Sequence, residues 1–135
     1  MSSKVKSVAN QPFNMIARRI LSIEYSAPVL ETRNAVLRSA GYEISSAGTF
    51  YQALERLQEN RFDLVLIGRS IPGVQLKGFL ELIQLRAPAA RTMVLRDCSQ
   101  DKEFRADCLH DPDAGPEALL SVVESLFGRI QRASA

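Results

Sequence analysis

The stretch Arg61-Phe62-Asp63-Leu64-Val65-Leu66-Ile67-Gly68-Arg69-Ser70-Ile71-Pro72-Gly73 decides how this chain folds. Leu64 to Ile67 is an unbroken apolar run, closed by charge before it and by a Pro-Gly turn after it. Such a run reads as a strand covered on both faces, as at the centre of a parallel sheet. In open α/β sheets, chemistry gathers in the crevice beyond the carboxyl ends of the strands. Gly68 stands at that end and brings no nucleophile, ligand or base.

Working outward, Arg19 to Ile23 predicts a short buried strand, with Glu24 and Tyr25 at its carboxyl end. Pro28 suits a first helical turn, where its missing N–H costs nothing. Val29, Leu30, Val36, Leu37 and Ala40 then share one helical face, and Gly41 supplies the stop. Tyr42 to Ser46 alternates apolar and polar and predicts an edge strand. Thr49 can cap a helix with Phe50, Ala53, Leu54 and Leu57 inward. Beyond the central strand, Gly78 to Arg86 predicts a helix with Phe79, Leu82, Ile83 and Leu85 as its apolar set, ended by Pro88. Thr92 to Leu95 is the next strand, with Arg96 at its end, and Cys108-Leu109-His110 a short last one before Asp111-Pro112. Pro116 opens a terminal helix with Leu119, Val122, Val123, Leu126 and Ile130 at helical spacing, and Arg129 and Arg132 in its last turn. Strand and helix alternate, so the expected architecture is α/β, a parallel sheet with helices on both faces.

At 135 residues the chain is expected to form one domain at 18–131, with an arm at 1–17 and a tail at 132–135. A formal charge of +2 gives no argument for nucleic acid, and the arm with Arg18 and Arg19 lacks the aromatic interleaving of a nucleic-acid surface. No apolar run reaches the roughly 20 residues of a membrane span. Two cysteines and the absence of an apolar leader point to a reducing, cytoplasmic setting. Cys98, Cys108 and His110 lack the spacing of a thiol pair or metal site, so neither a metal nor another cofactor is expected.

Gly41-Tyr42-Glu43-Ile44, Phe62 to Ile67 and Ile71-Pro72-Gly73 resemble the receiver domains of bacterial two-component response regulators. Leu109, Pro112 and Leu119-Leu120 agree with that family's last strand and helix, and the likeness runs from about Arg18 to Ile130. The resemblance implies a flavodoxin-like, CheY-like doubly wound sheet of five strands in the order 2-1-3-4-5. It also implies an acidic pair holding Mg²⁺, a phosphoacceptor Asp, a Ser or Thr, and a Lys, all at the carboxyl edge. A hard cation requires clustered carboxylates, and a transferred phosphoryl group requires its charge neutralised.

This chain departs from the pattern at each position. The acidic pair is Glu24-Tyr25, the phosphoacceptor position is Gly68, the Ser/Thr position is Arg96 and the Lys position Asp111. The aromatic switch position falls on Cys108, expected in the core as a small apolar residue. Without an Asp no acyl phosphate can form there, and Glu24 alone would hold Mg²⁺ weakly. Only fifteen steps separate Arg96 from Asp111, about two helical turns too few for the family's helix between its last two strands. That helix is therefore expected to be missing or cut to a turn. Sheet near Val94, Leu95 and Leu109 would then be uncovered, to be screened by Phe104 or a partner.

The emptied site, comprising Glu24, Tyr25, Gly68, Arg69, Arg96 and Asp111, has two readings. In the first, Arg96 and Asp111 form a salt bridge, shared with Glu24, that plugs it. In the second, Arg69 and Arg96 bind an anion in the space left at Gly68. Ser70 has no activating base and reads as a turn residue. No nucleophile–base pair can be assembled, so an enzyme is not expected. The expectation is a stand-alone degenerate receiver: a phosphorylation-independent protein-interaction module in two-component signalling. Its unknown protein partner, or a second copy, would bind the 98–131 face, with no role for nucleic acid or membrane. A small-molecule or anion sensor using the vestigial pocket is the alternative.

Overall fold

Leu64–Ile67 has no solvent face, and it lies at the centre of the sheet, as its composition demands. The computed structural model describes residues 18–96 and 108–134. The elements are β1 (Arg19–Ile23), α1 (Ala27–Ser39), β2 (Glu43–Ala47), α2 (Phe50–Glu59), β3 (Leu64–Ile67), α3 (Gly73–Arg86), β4 (Arg91–Leu95), β5 (Cys108–His110), a 3₁₀ turn (Pro112–Ala114) and α4 (Pro116–Ser134). All strand pairs are parallel, in the order β2-β1-β3-β4-β5. The arm at 1–17 and the segment from Cys98 to Asp107, with Phe104 and the question of the missing helix, lie outside the described residues. So do the side chains of Leu109, Arg129, Ile130 and Arg132.

The two-residue period of each strand divides the core in two. Leu21, Ile23, Val65, Ile67 and Val94 meet Ala53 and Leu57 of α2 and Leu76, Phe79, Leu80 and Ile83 of α3. On the other face Ile20, Leu64, Leu66, Met93 and Leu95 meet Leu37 of α1 and Leu119, Val123, Leu126 and Phe127 of α4. Cys108, expected in the core, is half-buried against this second core. Val94 and Leu95 are both buried; Phe104 and the loop expected to cover them lie outside the described residues.

Three helices differ from the expectation in a boundary or a face. Helix α3 starts at Gly73, five residues before Gly78, because Leu76 joins Phe79, Leu80 and Ile83 in the inward stripe. Leu85, expected inside, is 76% exposed on the opposite side. In α1 the inward positions are Arg33, Asn34 and Leu37, whereas Val29 is half-exposed. Helix α4 runs through Arg132 to Ser134, so these three residues of the expected tail continue the helix.

Candidate functional site

Register places the carboxyl ends of β1 and β3 side by side. Ile23 pairs with Ile67, and the next residue on β3 continues the ladder: Gly68 N–H donates to the Ile23 carbonyl at 2.8 Å. Alternation then turns Ser22, Glu24 and Gly68 toward the face covered by α1. Glu24 is 1% exposed there. An isolated carboxylate so buried would be costly, and α1 supplies its counter-charge. Arg33 donates from Nη2 to Glu24 Oε1 at 2.7 Å and from Nη1 to Ser22 Oγ at 3.4 Å. The Ser26 N–H reaches Glu24 Oε2 at 3.4 Å. Burial pulls the Arg33 guanidinium below its ordinary value, while its hydrogen bond to Glu24 and the carboxylate's charge oppose that shift.

This ion pair occupies the space in front of Gly68. A Cβ placed on Gly68 would stand 1.9 Å from Glu24 Oε1 and 2.9 Å from Arg33 Nη2. Real Cβ atoms do not approach so closely, so Gly68 is fixed by its neighbours and not by its backbone. The backbone there is ordinary; among the described residues the glycines with positive φ are Gly41 and Gly115.

The remaining expected site residues are dispersed into separate contacts. Tyr25 turns to the α3 side, where its hydroxyl bonds Gln75 Oε1 and its ring lies 6.5 Å from that of Phe79. Desolvation raises the pKa of this phenol. The Ser70 hydroxyl accepts from the Tyr25 N–H at 2.9 Å, so this turn residue also ties β3's end to β1's. Arg96 donates to the carbonyls of Ile71 and Arg69, holding the turn after β3. Asp111 accepts from Asp113 N–H at 2.9 Å and caps the 3₁₀ turn. Arg69 pairs with Asp113 at 2.9 Å on the surface.

The salt bridge expected between Arg96 and Asp111 is therefore replaced. The plug is Glu24 with Arg33, because α1 brings a cation to the carboxylate from above while Arg96 is drawn off to backbone carbonyls. Arg33 is not among the site residues expected from the sequence, yet its position carries a signal. It lies four residues from both Val29 and Leu37, in the middle of the apolar stripe of α1. A cation there needs a buried anion, and Glu24 was the one already assigned to the adjacent strand end.

Among the described residues no group of three or more His, Cys, Asp or Glu could hold a metal ion. No helix among them is long and apolar enough to cross a membrane. Between α1 and α4, next to the plugged site, runs a groove of about 550 Å³. Its walls include Val29, Val36, Leu95 and Leu119, with Thr32, Arg33, Arg69, His110 and Asp113 as polar members.

No protein-family model matches the sequence, and no curated protein matches it either. Solved structures do match the fold. A CheY-like response regulator receiver domain protein from Methanospirillum hungatei is similar with a TM-score of 0.75 at 19% identity, covering 87% of this chain and 99% of its own. A response regulator from Thermotoga maritima gives 0.74 at 16% identity, covering 84% and 99%. The receiver domain of a Pseudomonas aeruginosa sensor histidine kinase, with magnesium in its active-site cleft, gives 0.73 at 16%, again covering 84% and 99%. The chain has the fold of CheY-like response regulator receiver domains.

Proposed function

We propose that this chain is a degenerate receiver that acts as a phosphorylation-independent protein-interaction module in two-component-type signalling. The carrying observation is the Glu24–Arg33 pair, which fills the volume at Gly68 where receiver chemistry would need an aspartate. The Arg33 guanidinium stands as an internal cation beside the one carboxylate left to hold an external one. A phosphoryl group would find neither an acceptor nor open space, and nothing at this edge could relay its arrival. The partner surface we assign is the 98–131 face, where the chain between β4 and β5 is shorter than the receiver pattern allows.

The test is exposure of the purified chain to acetyl phosphate and Mg²⁺, followed by intact-mass and peptide mass spectrometry. The expected result is no added phosphoryl mass and no Mg²⁺-dependent stabilisation. A hydroxylamine-sensitive phosphoryl group mapped to any carboxylate at this edge would overturn phosphorylation independence. Light scattering over a concentration series addresses the partner surface, since self-association there should be lost when charges are introduced on the exposed side of α4.

A further inference from the structure

We propose that the groove between α1 and α4 is a binding site for an amphipathic monocarboxylate. Its volume of about 550 Å³ falls within the range of small-molecule pockets. Its apolar walls, Val29 and Val36 of α1 with Leu95 of β4 and Leu119 of α4, suit a hydrocarbon or aromatic body.

The polar members of the wall define the head group. Arg33 is 7% exposed, and its bonds to Ser22 and Glu24 use two of the five N–H donors of a guanidinium. Its other donors bond nothing among the described residues, and the side chain lines the groove. His110 lines the same groove, and its Nε2 is buried without a hydrogen-bond partner. A turn of the ring about its Cβ–Cγ bond would offer that nitrogen to a ligand. At the rim Arg69 is held by Asp113, but with side chains 56% and 77% exposed this pair exchanges at little cost. Arg33, His110 and Arg69 thus all line the apolar groove, with Asp113 beside Arg69 as its acidic member.

Charge decides between one negative charge and two. Glu24 already balances Arg33, and Asp113 balances Arg69, so a dianion such as phosphate would arrive at a nearly neutral wall. A single carboxylate needs only hydrogen-bond donors and the exchange of Asp113 for itself on Arg69. The groove adjoins the plugged pocket at Gly68 and shares Arg33 with it, but its apolar wall lies outside that pocket.

The experiment titrates the full chain with sodium octanoate by calorimetry and amide NMR, with acetate and 1-octanol as controls. Octanoate should bind saturably and at least tenfold tighter than either control. Amide shifts should fall on residues 28–36 and 116–119. Val36→Trp fills the groove and should abolish binding. Should that variant fail to fold, Val29→Trp at the half-exposed rim should weaken binding at least fivefold with the thermal midpoint unchanged. The proposal is overturned by the absence of saturable binding, by shifts mapping elsewhere, by octanol binding as tightly, or by tryptophan variants that bind like the parent.

Discussion

Around the point where a Cβ on Gly68 would stand, the nearest atoms belong to an ion pair that is itself buried, so the two features must be judged together. Replacing a buried ion pair by apolar groups is often neutral, whereas removing one partner strands a charge. Arg33→Met should therefore lower the unfolding free energy by about 3–5 kcal/mol. Combined with Glu24→Met it should recover most of that loss. Urea unfolding of the two single variants and the double variant measures this, and additive losses would show that the pair is not coupled. Gly68→Ala should cost about 3 kcal/mol, because a methyl group 1.9 Å from Glu24 Oε1 must break the same pair or shift β3. In a Glu24→Ala, Arg33→Met background, where the side-chain end facing position 68 is removed, a lost dependence on position 68 would confirm the route, while an undiminished cost would place the strain elsewhere in β3. The sequence made half of this legible. Glu24 and Gly68 could be placed at adjacent strand ends by apolar runs alone, but their counter-ion sits on a helix, where a lone arginine in an apolar stripe reads as an interruption.

Elements were the most readable level, for reasons that differ between them. The strands announce themselves because both faces are covered, and β2 does so by alternation because it is an edge. Helix α2 was legible from its start, since Thr49 Oγ1 does accept from Gln52 N–H at 3.1 Å. Thr49→Ala should lower stability by about 1 kcal/mol, measured by chemical unfolding, and a change near zero would mean that water replaces the cap. The start of α3 was misread because Gly73 and Gly78 look like breaks, while burial of Leu76 decides the matter. The turn between β3 and α3 depends on a contact that no local pattern shows, the Arg96 guanidinium on the Ile71 and Arg69 carbonyls. Hydrogen bonds from a charged donor contribute about 1.5–3 kcal/mol, so Arg96→Met should speed amide exchange at Ile71 by about tenfold or more. Unchanged exchange would show that Ser70 and the Gly68 carbonyl, which accepts from Ile71 N–H at 3.3 Å, hold the turn unaided.

The order of the five strands follows from the strand–helix alternation together with the resemblance, which is why whole-molecule topology was accessible before any coordinates. How the molecule responds to pH was not, since it depends on burial and charge brought together from distant segments. Tyr42, just before β2, packs its ring 5.5 Å from that of Phe127 in α4. Burial raises its pKa, the Glu124 carboxylate adds to the rise, and Arg18 partly opposes it. The unfolded chain releases this proton at about pH 10, whereas the folded chain holds it to higher pH. In that window the folded state binds more protons than the unfolded state, so stability falls as pH rises. The stabilisation is fully present below about pH 10 and is lost as pH climbs through the raised value. Tyr25, raised by desolvation, acts in the same direction. Urea midpoints should therefore hold steady from about pH 7.5 to about pH 9 and drop beyond about pH 10. Tyr42→Phe should keep the neutral-pH midpoint within the change expected for a lost surface hydroxyl and flatten the alkaline drop. An equally steep drop in that variant would assign alkaline unfolding to other groups and leave the α4 contact with β2 indifferent to proton release.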